Sequence, residues 1–310
     1  MLFFWIGLAA VLLLLLAGLL CALAALLRVR AANPLDPKLL GKSSWKHHIR
    51  TVMDGVTWLD EHTKEEHWIE SYDGLRLYAR FCPADNARGT VLRMHGYRSE
   101  GRVDFSCVAS YYHSLGFNLL LADQRAHGKS DGHFITYGLK ERYDCQRWAE
   151  YLAKRFGPNH PIVLSGISMG AATVLMASNL PLPESVRGIV ADCGFTSPRD
   201  IIRHVMRWRY HVPAFPFLTL TNLWAWILTG KALGACSATA CVQETKLPIL
   251  FLHGAADRFV PCWMSEQNYE ACQSEKELVL VDGATHGLSF VTDPDRCKAA
   301  MDRFLQRLGI

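Results

Sequence analysis

The chain reads as an α/β protein: a mostly parallel, eight-stranded sheet with helices on both faces, a helical insertion, and an apolar N-terminal helix. Three observations predict this. Eight short apolar runs follow one another along residues 66–310, with helical patterns between several of them. Strands that read as continuous apolar runs are strands buried on both faces, the mark of a parallel sheet. Residues 1–27 carry no charged side chain and are nearly all apolar.

The N-terminal run is long enough to cross a bilayer, which takes about 20 residues of helix. A cleaved signal peptide is the rival reading. No basic residue precedes the run, and the run exceeds the usual signal core of about 7–15 residues, so an uncleaved anchor over residues 1–30 is preferred. Arg28, Arg30, Lys38, Lys42, Lys46 and Arg50 all follow the span and none precedes it. By the positive-inside rule the rest of the chain lies on the cytoplasmic side. The ten cysteines show no paired spacing of a disulfide framework, which suits a reducing compartment.

Residues 31–65 read as a connector. Asn33-Pro34 and Asp36-Pro37 stop the first helix, and Val52, Val56 and Leu59 recur at helical spacing. An amphipathic helix is expected there, docked on the domain that follows. The basic residues of 38–50 suit either anionic headgroups or plain solvation.

The main domain opens with Asp73-Gly74 between Trp68–Ser71 and Leu75–Phe81, a hairpin signal. Further strands are expected at 90–95, 117–122, 161–166, 186–192, 248–253 and 277–282, with helices over Lys140–Phe156 and Asp295–Leu308. The fifth of these eight strands runs into Gly166-Ile167-Ser168-Met169-Gly170, a G-x-S-x-G sequence followed by a helical pattern. Strand, tight turn and helix form the context of a nucleophile elbow. Asp257 falls just past the strand at 248–253, and His286 just past the strand at 277–282. A serine hydroxyl becomes a useful nucleophile when an imidazole takes its proton, and the imidazole needs a carboxylate to fix its tautomer. Ser168, His286 and Asp257 supply those three groups. Asp282 is the rival acid; Asp257 is preferred because Asp282 ends the same strand that presents His286. The strand at 90–95 leads into His95-Gly96-Tyr97, so the amides of Tyr97 and Met169 are the expected oxyanion donors.

These residues carry a resemblance. The order Ser168, Asp257, His286 is similar to that of the α/β-hydrolase superfamily, and within it the chain resembles the monoacylglycerol lipase and serine aminopeptidase-like group. That group's D-x-R-G-x-G-x-S loop is matched by Asp123-Gln124-Arg125-Ala126-His127-Gly128-Lys129-Ser130, with alanine at 126 where glycine is usual. Its H-G-x-x-D-x-x-V-P pattern is matched by His253 to Pro261. The resemblance covers roughly residues 66–308 and implies the α/β-hydrolase fold. It also implies a lid over the pocket at residues 198–242. That insertion carries Trp208, Trp224 and Trp226, the candidate substrate contacts. Its Arg203, Arg207 and Arg209, near His204 and His211, read first as a solvated basic helix face.

Composition narrows the function. A formal net charge of +4 is too mild to suggest nucleic acid, and no basic stripe is interleaved with aromatics. No phosphate loop, dinucleotide fingerprint or zinc spacing is present, and the expected chemistry needs no metal or organic cofactor. The reading is a membrane-anchored serine hydrolase acting on a small-molecule ester or lipid-like substrate. An aminopeptidase, amidase or acyltransferase with the same three residues is the alternative. A non-catalytic binding protein on the same scaffold is a third.

Overall fold

The computed structural model describes residues 1–29 and 44–310; the expected helix stop at 33–37 and residues Arg30, Lys38 and Lys42 lie outside them. One eight-stranded sheet runs β1-β2-β4-β3-β5-β6-β7-β8. The strands are β1 (Glu65–Glu70), β2 (Arg76–Cys82), β3 (Gly89–Met94), β4 (Phe117–Ala122), β5 (Ile162–Ile167), β6 (Val186–Asp192), β7 (Ile249–Gly254) and β8 (Lys276–Val281). Pairing is antiparallel from β1 to β2 and from β2 to β4, and parallel across the rest.

Burial follows position in the sheet. Every residue of β3, β4, β5 and β7 is buried, which is why these strands read as unbroken apolar runs. Edge strand β1 alternates instead, with Glu66, Trp68 and Glu70 outward. Its charges suit an edge that must not recruit a further strand.

Two layers of helices close the sheet. On one face lie α4 (Glu141–Phe156) and α5 (Met169–Ala177), whose buried Trp148, Leu152, Val174 and Met176 join one core cluster. On the other lie α3 (Gly101–Ser114) and α11 (Pro294–Arg307), which bring Phe105, Tyr112, Phe304 and Leu305 into a second. The expected amphipathic helix is α2 (Ile49–His62), with Val52, Val56 and Leu59 buried. A Cβ on its Gly55 would stand 2.2 Å from the Ser106 carbonyl oxygen, so α2 reaches α3 at backbone distance.

The insertion at 198–242 forms α6 (Pro198–Trp208), α7 (Ala214–Thr229) and the start of α8 (Ala238–Glu244). Ser197 caps α6 by accepting from the Asp200 amide at 3.1 Å. The short helices α9 (Trp263–Ala271) and α10 (Ser289–Thr292) complete the set.

The N-terminal helix α1 (Leu2–Leu26) has 25 residues, about 37 Å of helix. Its first four turns are exposed. Gly18, Ala22 and Leu26, four residues apart, form the one buried line and face the insertion. A Cβ on Gly18 would stand 2.4 Å from the Leu220 Cβ of α7, so the glycine admits that helix. Beyond α1 the chain makes a short antiparallel bridge from Leu27 to Phe134. Arg28 then donates to the carbonyls of Gly128 at 2.7 Å and Ser130 at 2.8 Å.

The tightest packing lies where α5 leaves β5. A Cβ on Gly170 would stand 1.8 Å from the Met94 carbonyl oxygen, and one on Gly166 would stand 2.2 Å from the Gly170 oxygen. Neither position accepts a methyl group without moving backbone. Gly170→Ala is expected to cost about 3 kcal/mol or more of stability. Urea unfolding followed by circular dichroism measures it, and an unchanged midpoint would contradict this account of the turn.

Candidate active site

Ser168 sits between β5 and α5 with φ 55° and ψ −116°. Positive φ in a residue other than glycine is strained, and the surrounding structure must hold it. Here the Ser168 amide donates to the Asp192 carbonyl at 2.8 Å and its own carbonyl accepts from Ala172 at 3.0 Å. The turn lifts the hydroxyl to the carboxyl end of the parallel strands. Open α/β sheets bind their ligands at that end.

The three groups expected to work together meet there, although 118 residues separate the first from the last. The Ser168 hydroxyl lies 2.9 Å from His286 Nε2. His286 Nδ1 lies 2.6 Å from Asp257 Oδ2. With Nδ1 donating to the carboxylate, Nε2 is left to accept the hydroxyl proton. Asp257 is 5% exposed, and its second oxygen accepts from the amides of Phe259 at 2.8 Å and Val260 at 3.0 Å. Burial penalises its charge, but hydrogen bonds from His253 and His286 outweigh that and hold the carboxyl well below the usual carboxylate range. His253 is fully buried; its Nε2 donates to the Val260 carbonyl at 2.8 Å and lies 3.4 Å from Asp257 Oδ2. Asp282, the rival acid, has a 94% exposed side chain 3.8 Å from Arg296.

The loop after β3 is fixed by its neighbours. Gly96 N–H donates to Asp104 at 2.6 Å, and Arg98 N–H donates to His127 Nε2 at 3.0 Å. Tyr97 stands between them. His95 is buried, with Nδ1 donating to the Gly96 carbonyl at 2.8 Å and Nε2 accepting from Gln124 N–H at 3.0 Å. The loop at 123–130 thus braces the loop at 95–98. Its Arg125 is gripped by Asp144 and Asp73, with contacts of 2.6–2.9 Å. Ala126, where the resembling group carries glycine, holds φ 60°, so the left-handed turn survives with an alanine in it.

A cavity of about 450 Å³ opens over the serine. Ser168, Met169 and Tyr97 line it together. The insertion supplies Ile201, Ile202, Val205 and Met206 of α6, and Thr221 of α7. Trp208, Trp224 and Trp226, expected against substrate, do not line it. Trp208 stacks on His204 at 6.0 Å, the Trp224 indole donates to the Leu15 carbonyl at 3.0 Å, and Trp226 is 58% exposed. Of the basic cluster, Arg209 reaches the cavity. Arg203, His204 and Arg207 line a separate surface depression, and Arg203 pairs with Asp200 at 3.3 Å.

Several groups had no signal in the sequence. Leu20, Cys21, Ala24 and Ala25 of α1 line the cavity, as do Tyr137, Phe195 and Phe259. Phe259 lies at a variable position of the His253–Pro261 pattern, and the others come from distant segments with no motif to mark them. Beneath the relay, burial pushes the Cys193 thiol well above its usual range and raises Asp192 to about 6. Cys193 Sγ falls near Asp257 and His286, all three ligand atoms within 4.8 Å of one another. Of these three, Asp257 and His286 already bond to each other.

This strand order, elbow and chain order define the α/β-hydrolase class. The chain has the α/β-hydrolase fold and is similar to that superfamily; a family profile described as serine aminopeptidase, S33, matches residues 85–229. Among curated relatives, the Bacillus subtilis protein YqkD is 26% identical over 195 residues, which span 63% of this chain and 64% of that one. Caffeoylshikimate esterase of Arabidopsis thaliana is 25% identical over 262 residues, 71% of this chain and 78% of the relative. Among solved structures, the Pyrococcus furiosus esterase Pf2001 superposes with a TM-score of 0.65 at 23% identity, covering 81% of this chain and 93% of that one.

His127 gives a pH prediction. Burial, then its neighbour His95, lowers its pKa from 6.5 to about 3. The unfolded chain therefore takes up a proton that the fold refuses, so stability falls as pH drops from about 6.5 towards 3. The slope from this one group is at most about 1.4 kcal/mol per pH unit. His127→Gln is expected to flatten the loss between pH 6.5 and 4.5, read by urea unfolding at each pH. Equal slopes in the two proteins would refute the assignment.

Proposed function

We propose that the protein is a membrane-anchored serine hydrolase that cleaves carboxylic esters through an acyl-enzyme on Ser168. The observation that carries this is the continuous line of hydrogen bonds from Ser168 Oγ through His286 to Asp257. His286 takes the hydroxyl proton as Ser168 Oγ attacks the ester carbonyl. Asp257, held ionised, stabilises the imidazolium that results. The Met169 and Tyr97 amides receive the oxyanion. Collapse expels the alcohol with the proton returned from His286 Nε2. Water, activated by the same nitrogen, then frees the acid and restores Ser168.

Two features support ester over amide substrates. The cavity lining is largely apolar, as suits an acyl or aryl group. Its charged members are Arg98 and Arg209, and among the described residues no carboxylate lines it. An aminopeptidase needs a negative group to hold the substrate's ammonium. The matching esterases point the same way. The serine aminopeptidase description of the family profile favours amide cleavage as the second reading.

Anchoring through α1 is supported by its length and by its exposure: 11% of its most apolar 18-residue window is buried, too little for a core helix. A cleaved signal peptide would strip the buried Ala22 and Leu26 from the core cluster they belong to. The basic residues after the span favour the cytoplasmic side for the catalytic domain. A phosphatase that works only after export, fused to the C-terminus, should stay inactive; activity would reverse the placement.

A fluorophosphonate probe is expected to label the wild type and not Ser168→Ala. Asp257→Asn should keep the fold and lower kcat by about 10³–10⁴. Turnover of p-nitrophenyl esters should exceed that of aminoacyl anilides. Folded wild type that takes no label would favour a non-catalytic role, and faster anilide turnover would make the protein an aminopeptidase.

A further inference from the structure

The inference drawn here rests on the serine hydrolase reading and deepens it. We propose that the last two turns of the N-terminal apolar helix are a wall of the catalytic cavity, and that they select single-chain acyl esters taken from the lipid phase. Leu20, Cys21, Ala24 and Ala25 face the same space as Ser168.

The wall is held at two levels. At its C-terminal end a helix exposes carbonyls with no partner inside the helix. Here the domain satisfies them. The Tyr97 and Tyr137 hydroxyls both donate to the Ala25 carbonyl, at 2.7 and 3.1 Å. Arg98 donates to the carbonyls of Ala24 at 2.8 Å and Leu27 at 3.1 Å. The two tyrosine rings stack at 5.0 Å and themselves line the cavity. Tyr97 belongs to the proposed oxyanion loop, so the helix end is bonded directly to the catalytic loop. Two turns earlier, Gly18 seats against Leu220, and the Trp224 indole holds the Leu15 carbonyl at 3.0 Å. A membrane anchor needs none of these contacts, because length and hydropathy suffice for spanning.

Side-chain size along α1 fits the role. The helix carries leucine at five consecutive positions, Leu12 to Leu16, then places Cys21, Ala24 and Ala25 where it borders the cavity. Small side chains leave the volume for an acyl chain. Helix α7, which packs along α1, also exposes apolar side chains: Phe215 is 80% exposed, Trp226 58% and Ile227 51%. Exposed apolar side chains on both helices are unfavourable in water and compatible with the bilayer interior or its boundary. An acyl chain drawn from lipid into this apolar cavity exchanges one apolar phase for another and need not be hydrated.

Added bulk at Cys21 tests this in the full-length protein in phosphatidylcholine vesicles. For Cys21→Phe, the ratio of kcat/KM on p-nitrophenyl dodecanoate to that on the butyrate is expected to fall at least tenfold. Cys21→Leu, a smaller change that protects against misfolding, should shift it in the same direction. Leu13→Phe, on the exposed part of α1, should leave the ratio alone. Binding of the product acid needs no turnover, and displacement of a fluorescent fatty acid by dodecanoate should weaken in step with the ratio. Unshifted ratios and unshifted dodecanoate binding at position 21 would overturn the wall. Should the wild type hydrolyse no ester while dodecanoate binding still falls in the Cys21 variants, the wall stands and the hydrolase reading fails.

Discussion

Helix α5 approaches strands β3 and β5 so closely that glycine is required on both sides of Ser168, and the site is built on that constraint. Contact at backbone distance fixes the angle between strand and helix. It forces the intervening serine to positive φ, and a serine in that conformation presents its hydroxyl above the sheet instead of into it. The Met94 and His95 carbonyls that Gly170 meets belong to the start of the loop that carries Tyr97. The packing that strains Ser168 therefore also sets the height of the proposed oxyanion loop. Strain of this sort survives only where the surroundings over-determine the backbone, as the bond from Ser168 N–H to the Asp192 carbonyl does here.

Charge around the relay is arranged to be permanent. Asp257 takes two amide hydrogens and lies against two imidazoles, one of which, His253, has no exposed surface and exists to hold its strand end in place. Such a carboxylate stays ionised and cannot rotate, so His286 is oriented before any substrate arrives. Preorganisation of this type lowers the reorganisation needed during reaction. The same logic reaches outward through His95, His127 and Arg125, which tie the loops at 95–98 and 123–130 into one rigid floor.

The apolar N-terminal helix joins this floor instead of hanging from it. Its terminal carbonyls are the acceptors for Tyr97, Tyr137 and Arg98, and its small residues complete the cavity. Helix α1 and pocket therefore share side chains.

The sequence by itself determined the strands, their alternation with helices and which three polar side chains meet above the sheet. Each of these leaves a local trace: an apolar run, a glycine pair around a serine, an aspartate or histidine just past a strand. Asp257 over Asp282 was readable on the same grounds, since one strand end does not present both acid and base to each other. Tertiary structure alone decided what lines the cavity. Trp208, Trp224 and Trp226 looked like substrate contacts because large aromatics in an insertion carry no record of which way they turn. Two of them are substantially exposed and the third bonds to α1. Cys21 and Ala25 looked like ordinary members of a membrane span, because a uniformly apolar helix has no periodicity to reveal a packed face. Contacts between residues more than seventy positions apart are set by how elements pack, and packing is a property of the whole fold that no local pattern encodes.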